Sequence, residues 1–279
     1  MTSWEKAFAD RLGEPLHLNA LSVLVRLFGG FRAKVAFDLV ERRRYAYPLL
    51  KAADEARALG INRMYALEFG VAAGAGLVNL VELGTHVTRE TGVAIDVVGF
   101  DAGTGMPPPA DYRDYPDQFI SGDFPTPDLE ALAQRLPANA RLEIGPVAER
   151  ARQFAEQVDA PIGFISFDLA YYSSTVEAMA VLAGPADHYL PLTLGYLGAI
   201  RIDQASPAVG ERLAVAEHNQ ANPLRPIHPF TNLRQKRIFQ RAEWIDQIQA
   251  IHILDHPRRS GSQALERGVW ELDDPLSGR

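Results

Sequence analysis

The sequence predicts an α/β fold with a doubly wound, mostly parallel sheet. Short apolar runs that suit buried strands alternate with segments whose apolar positions recur at helical spacing, and such alternation is typical of parallel sheets. The first run, residues 64–69, contains Glu68 near its end and is followed by three glycines. The second run, residues 95–100, is followed directly by Asp101. Acids and glycines at neighbouring strand ends predict a ligand crevice there.

Composition limits the class of protein. The chain has 279 residues, 47% hydrophobic content and a net charge of -7, which suits one main domain and gives no basic footprint for nucleic acid. The arginines at 42–44 are typical of a solvated helix face. With no cysteine, disulfides, thiolate metal sites and cysteine nucleophiles are excluded. Neither a signal peptide nor an apolar run of membrane-spanning length is present, so we expect a cytoplasmic protein without membrane partners.

The remaining elements follow in order. Helical spacing in residues 17–28 and 33–59, ended by Gly60, predicts an N-terminal helical cap over residues 1–60, and residues 61–279 would form the main domain. Further predicted strands are residues 141–144, 162–167 and 192–197. Further predicted helices are residues 77–91, 128–136, 147–158 and 175–182. The tail, residues 244–254, suits either an antiparallel hairpin or a helix with a strand. The proline-rich and aspartate-rich residues 106–128 suit an active-site lid.

The glycine turn after the first strand suits a nucleotide-like ligand. Gly70, Gly74 and Gly76 let a ligand approach the main chain, and the following helix would direct free N–H groups at it. The spacing Gly-x3-Gly-x-Gly departs from the dinucleotide fingerprint, which disfavours a nicotinamide enzyme. Taken singly, Glu68 fits a helix cap and Asp101 a turn equally well. The pair, with the glycines between, favours a site in which Asp101 accepts hydrogen bonds from ribose hydroxyls.

Several blocks carry a resemblance to a known family. They are EFGVAAGAG (68–76), GFDAGTGMP (99–107), FISFDLAYYSST (164–175) and GERLAVAEHN (210–219). In this order they resemble the class I S-adenosylmethionine-dependent methyltransferases, and among them the macrocin O-methyltransferase-like group. The resemblance implies a Rossmann-like methyltransferase sheet of about seven strands, S-adenosylmethionine as cofactor, and O-methylation of a small-molecule acceptor.

The resemblance also implies roles for individual residues. The methionine and ribose portion of the cofactor would contact Glu68, Gly70, Val71 and Gly74, and its ribose would bind Asp101. The adenine would lie near Gly145 and Val147. Gly122 and Asp123 would close over the cofactor. Asp168 matches the first acid of the strand-four motif and is the candidate catalytic residue. A helix cap is the alternative for Asp168.

The resemblance implies a divalent cation bound by carboxylates, but this sequence departs from the family at the positions of those acids. Ala170 stands where a second acid is expected, and Gly198 and Ala199 follow the predicted fifth strand where an acid pair is expected. One carboxylate would hold Mg²⁺ weakly, so we predict no metal ligands. Placing the fifth strand at residues 199–202 instead would gather Asp168, Asp203 and Gln204 as oxygen ligands.

Two further alternatives stay open. The missing acids fit a catalytically impaired methyltransferase-like protein that binds S-adenosylmethionine or S-adenosylhomocysteine without efficient turnover. Without a metal, a histidine could act as general base, and His218 and His256 are the candidates, although each is more typical of a structural histidine. The sequence does not decide whether the chain forms a homodimer.

Overall fold

The computed structural model describes residue 11 and residues 13–125, 128–202 and 205–260. Its strands are β1 (Arg63–Phe69), β2 (Ala94–Asp101), β3 (Ala140–Ile144), β4 (Ile162–Phe167), β5 (Tyr189–Leu197), β6 (Ile227–Pro229) and β7 (Ile248–His252). In this part of the chain they form one seven-stranded sheet with the order β3-β2-β1-β4-β5-β7-β6. The predicted doubly wound α/β class is therefore confirmed.

The five strands β1 to β5 are parallel, and their carboxyl ends meet at one edge. Phe69 pairs with Phe100 on one side and with Phe167 on the other, and Phe167 pairs with Leu197. The strand order reverses between β1 and β4, and ligands of open α/β sheets bind at this switch point. β7 runs antiparallel between β5 and β6, and a 3₁₀ turn, Glu243–Gln247, precedes it.

The described helices flank both faces of the sheet. They are α1 (Leu16–Phe28), α2 (Phe31–Ala36), α3 (Arg43–Ala58), α4 (Ala75–Thr91), α5 (Leu129–Arg135), α6 (Val147–Gln157), α7 (Tyr172–Met179), α8 (Gly210–Ala221) and α9 (Leu233–Lys236). No helix in residues 13–125, 128–202 and 205–260 is both long and apolar enough to cross a membrane.

Alternating side chains of each central strand enter two separate cores. In β1, Met64 and Ala66 pack towards α3 and α4, whereas Tyr65 and Leu67 pack towards α6 and α7. Because both faces are covered, the residues from Met64 to Leu67 are all apolar, and the strand does not alternate between a polar and an apolar face. This double burial explains why the strands could be recognised from continuous apolar runs.

The predicted helix over residues 33–59 is interrupted. α2 ends at Ala36 and α3 begins at Arg43, with Asp38 and Arg42 in left-handed backbone conformations. The buried Asp38 carboxylate accepts a hydrogen bond from Arg237 at 2.6 Å and a longer one from the Trp244 indole at 3.4 Å. The break in the helix accompanies a buried ion pair between Asp38 and Arg237. Leaving that buried charge without a partner would be more costly than interrupting the helix.

The N-terminal helices differ in what they bury. α3 packs on β4, β5 and α4 and buries eight residues, among them Tyr45. α1 packs against α2, and Ser22 is its buried residue, whereas Leu24, Leu27 and Phe28 are exposed. α3 therefore covers the sheet, and its first turn lies beside the carboxyl ends of the strands.

Candidate active site

A cavity of about 760 Å³ opens at the carboxyl ends of β1, β2, β4 and β5. This volume falls within the range of roughly 300–1,000 Å³ that is typical of small-molecule sites. Its walls come from the turn after β1, the loop after β2, the start of α7, the loop after β5 and the residue before α3. The cavity therefore lies where the sequence predicted a crevice.

Asp101 holds the turn after β1 in place. Its Oδ2 accepts hydrogen bonds from the N–H groups of Val71 and Ala72 at 2.9 and 3.0 Å, and its Oδ1 accepts one from Gly103 at 2.7 Å. The side chain is 9% exposed. A carboxylate offers about four lone pairs, so the three backbone donors leave room for one more donor from the cavity.

Glu68 is a buried acid with one oxygen left without a partner. Its Oε1 accepts a hydrogen bond from the Tyr45 hydroxyl at 2.8 Å, which itself accepts one from Ser166 at 3.0 Å. Oε2 is buried, lacks a hydrogen-bond partner in the described structure, and belongs to a residue that lines the cavity. Burial raises the pKa of Glu68 to about 8, with the Tyr45 hydrogen bond opposing it. A cationic donor at this oxygen would favour the ionised form of Glu68, so binding of a cation would release its proton.

Asp168 follows β4 and enters the cavity wall. Its N–H donates to the carbonyl of Phe69 at 3.0 Å, and its carboxylate lies 3.9 Å from Arg44 with the side chain 36% exposed. The interpretation of Asp168 as a helix cap is wrong, because α7 begins at Tyr172 and the N–H of Ser173 donates to Asp114 at 2.8 Å. Asp168 is therefore available to a ligand.

The fifth strand ends as the preferred placement predicted. β5 runs to Leu197 and is followed by Gly198 and Ala199. A Cβ at Gly198 would overlap the Asp168 carboxylate, so no side chain fits there unless Asp168 moves. The alternative ligands Asp203 and Gln204 lie outside the described residues. Among the described residues no group of three or more histidines, cysteines and acids could hold a metal ion.

Glu211 is a buried acid whose position near the cavity is not evident from the sequence. It lies in the first turn of α8, is 1% exposed, and its Oε2 accepts a hydrogen bond from the N–H of Ala199 at 2.7 Å. Burial and the nearby Asp168 raise its pKa well above the ordinary value. Glutamate is common in exposed first turns of helices, so its residue type gave no signal of burial. It fixes the loop after β5 from behind the cavity.

The long loop after β2 forms one wall of the cavity. Met106, Phe119 and Phe124 line it, and the backbone of Met106 pairs with Gly122 and Asp123 at 2.9 Å each. Residues of the predicted lid segment therefore line the cavity.

Two residues of the lid segment are buried. Asp114 is buried, and it accepts hydrogen bonds from both the N–H and the hydroxyl of Ser173 at 2.8 Å. Tyr115 is also buried, and its ring packs where a Cβ at Gly210 would lie. The lid is thereby attached to the starts of α7 and α8.

The structure brings six of the ten predicted site residues into the cavity wall. They are Glu68, Gly70, Val71, Asp101, Val147 and Asp168. The other four lie behind it or on the lid. Gly74 precedes α4 and faces Leu132, Gly145 donates its N–H to the Asp101 carbonyl at 3.0 Å, and Gly122 and Asp123 pair with Met106.

The candidate general-base histidines lie away from the cavity wall. The His218 Nε2 is 3.0 Å from the Arg225 carbonyl, and the His256 Nδ1 accepts a hydrogen bond from the N–H of Arg258 at 3.0 Å. Burial lowers the pKa of both side chains. Both histidines therefore have structural roles.

Substitution of Gly198 tests the contact with Asp168. Gly198→Ala should cost about 1 to 3 kcal/mol of stability, because the new methyl group overlaps the Asp168 carboxylate. Gly195→Ala, within the preceding strand β5, is the control, because its Cβ would meet the flexible end of Ile251 at 3.2 Å. Urea unfolding of both variants gives the measurement. Equal stability of the two variants would contradict this prediction and would show that the Asp168 side chain turns aside at little cost.

Comparisons with known proteins identify the fold. No family model matches the chain, and no curated protein matches it in sequence. The solved structure of the O-methyltransferase NovP matches with a TM-score of 0.50 and 11% identity, over 75% of this chain and 79% of that one. The chain has the fold of the class I methyltransferases.

Two further solved structures match less well in TM-score. The calicheamicin methyltransferase CalS11 matches with a TM-score of 0.48 and 16% identity, over 85% of this chain and 91% of that one. An O-methyltransferase from Bacillus cereus, solved with S-adenosylhomocysteine, matches with a TM-score of 0.39 and 12% identity, over 88% of this chain and 96% of that one.

Proposed function

We propose that the protein is an S-adenosylmethionine-dependent methyltransferase that methylates a hydroxyl group of a small-molecule metabolite. The observation that carries this proposal is the unpartnered Oε2 of Glu68, which borders the cavity beside the turn that Asp101 holds. In a methyltransferase fold this is where a cofactor with a cationic ammonium and a ribose would bind. The O-methyltransferase fold neighbour NovP supports the choice of oxygen as the acceptor atom.

The charge of the cavity suits the proposed cofactor. Four acids, Glu68, Asp101, Asp168 and Glu177, line it together with one arginine, Arg42, among the described residues. S-adenosylmethionine carries a sulfonium and an ammonium, and acids nearby stabilise both cations. Val147 would contact the adenine, and Gly70 and Val71 the methionine and ribose portion.

The reaction requires alignment more than covalent help. The acceptor oxygen attacks the methyl carbon, the bond from carbon to sulfur breaks, and neutral S-adenosylhomocysteine and a proton leave. In the proposal Asp168 is the catalytic residue, because it borders the cavity between β4 and β5, where the acceptor would approach. Phe119, Phe124 and Ile202 line the cavity beside polar Ser173 and Ser174, so the acceptor would be an amphipathic metabolite.

Calorimetry tests the proposal directly. The purified full-length protein should bind S-adenosylmethionine and S-adenosylhomocysteine in the micromolar range, and NAD should give no heat. We expect the same affinity with magnesium and with EDTA, because Ala170, Gly198 and Ala199 supply no carboxylate beside Asp168. Absence of heat with both adenosyl ligands would refute the proposal, and a loss of affinity in EDTA would favour a metal site that includes Asp203.

The alternative function is a methyltransferase-like protein that binds the cofactor without efficient turnover. The same three small residues favour it, because relatives are expected to carry acids there. Tight binding of S-adenosylhomocysteine without transfer of a labelled methyl group across a panel of phenols and sugars would support it. In this proposal the protein acts in the cytoplasm on a small-molecule acceptor and binds neither nucleic acid nor a membrane.

A further inference from the structure

Arg42 is the one cationic residue among the described residues that line the cavity. It precedes α3 in a left-handed conformation, lines the cavity, and lies over the Tyr45 ring with 5.8 Å from its guanidinium carbon to the ring centre. In the described part of the chain it forms no ion pair. An arginine at a cavity wall without a carboxylate partner is suited to an anionic group on a ligand.

Arg44, two residues further on, is already engaged. Its guanidinium lies over the rings of Tyr45 and Tyr196 at 5.6 and 5.3 Å, and its Nη2 is 3.9 Å from Asp168. Arg44 is also not among the residues that line the cavity. Of the two arginines, Arg42 is therefore the one that a ligand would meet.

Arg42 and Glu68 are neighbours through Tyr45. The Arg42 guanidinium lies over the face of the Tyr45 ring. The Tyr45 hydroxyl donates a hydrogen bond to Glu68 Oε1 at 2.8 Å. Both residues line the cavity, and the positive charge of Arg42 acts on Glu68, whose Oε2 is free to accept a hydrogen bond. A zwitterionic amino-acid group, with its ammonium and carboxylate on one carbon, has the complementary pair of charges.

We propose that Arg42 binds the carboxylate of the methionine portion of S-adenosylmethionine while Glu68 Oε2 accepts a hydrogen bond from the ammonium. This inference rests on the proposed function. It makes Arg42, a residue of the N-terminal segment, a determinant of cofactor specificity, because ligands without the carboxylate would gain nothing from it. Because Arg42 is the one cationic side chain among the described lining residues, the acceptor would meet acidic and neutral groups. The acceptor would therefore be neutral or cationic.

A cycle of one substitution and one ligand change tests this assignment. The ligands are S-adenosylhomocysteine and its carboxamide, which keeps the ammonium and loses the negative charge. Calorimetry on the full-length native protein should show about tenfold weaker binding of the carboxamide, because a charged hydrogen-bond pair is lost. Arg42→Gln should bind both ligands with nearly equal affinity, since neither then has a cationic partner.

Arg57→Gln is the matched control. Arg57 is an exposed arginine of α3, and it lies outside the described cavity wall. This variant should keep the native tenfold preference for the carboxylate. Arg42→Lys keeps the charge but loses the two-pronged geometry, so it should show an intermediate preference.

The cycle separates the possible failures. A tenfold preference that persists in Arg42→Gln would overturn the inference, even if the variant binds both ligands less tightly, because a folding defect affects both. Equal binding of the two ligands by the native protein would overturn it as well. If the native protein bound neither ligand, the proposed function itself would fail.

Discussion

We expect the native protein to lose stability as the pH rises from about 4.5 to 8, and we expect Glu68→Gln to lose much less. Burial raises the pKa of Glu68 from 4.5 to about 8, so the folded protein keeps a proton that the unfolded chain has released. Across this window the folded state binds more protons, and stability therefore falls with rising pH. At 1.36 kcal/mol per pKa unit, the shift corresponds to about 4 kcal/mol at pH 8.

The glutamine variant keeps the shape of the side chain and cannot ionise. Its amide oxygen can still accept the hydrogen bond from Tyr45, which has a length of 2.8 Å in the native protein. We expect native and variant proteins to have similar free energies of unfolding near pH 5, and the variant to be more stable by about 4 kcal/mol at pH 8. Glu211 has the same direction of pKa shift, but its effect is common to both proteins and cancels in the difference.

Urea unfolding of the ligand-free protein at pH 5, 6, 7 and 8 provides the measurement. Glu177→Gln is the matched control, because Glu177 lines the same cavity but is exposed. The control should follow the pH dependence of the native protein. Parallel curves for the native protein and Glu68→Gln would show that Glu68 is ionised in the folded state, contrary to its burial.

The strands and the position of the site could be predicted from the sequence because both depend on residues that are close together along the chain. A parallel strand that is buried on both faces is a continuous apolar run, and the polar residue after it marks the edge where ligands bind. β4 was predicted with the bounds that it has, and Glu68, Asp101 and Asp168 all border the cavity. Only the sequence near each residue was needed.

The rest depends on partners that are distant along the chain. The break between α2 and α3 comes from Asp38 and Arg237, which are 199 positions apart. Arg42 belongs to a run of three arginines that is typical of a solvated helix face, and only the packing of α3 on the sheet brings it to the cavity. The bond from Tyr45 to Glu68 spans two elements for the same reason. Residue type alone carries no such information.

Asp101 shows how the structure changes a prediction at a residue that was correctly located. The sequence indicated a contact with ribose, whereas the described carboxylate accepts hydrogen bonds from Val71, Ala72 and Gly103. It therefore builds the turn on which a cofactor would lie. A ribose hydroxyl could use the remaining lone pair, so the two roles are compatible.

Asp101→Ala should therefore lower both stability and cofactor affinity. Three backbone N–H groups lose their acceptor, and because the cavity lets water reach some of them, we expect a loss of about 3 kcal/mol of unfolding free energy. The affinity for S-adenosylhomocysteine should fall by about 1 to 3 kcal/mol. Asp101→Asn keeps one acceptor oxygen, so its losses should be smaller. Urea unfolding and calorimetry on the same preparations give both quantities.

Asp128→Ala is the control for the loss of a single backbone hydrogen bond. Asp128 caps α5 by accepting one hydrogen bond from Ala131 at 2.8 Å, and its removal should cost about 1 kcal/mol. Asp101→Ala with native stability but weakened ligand binding would mean that the carboxylate serves the ribose and not the turn. The reverse result, a large loss of stability with unchanged affinity per folded molecule, would remove Asp101 from the cofactor site and leave Glu68 as the principal acid that contacts the cofactor.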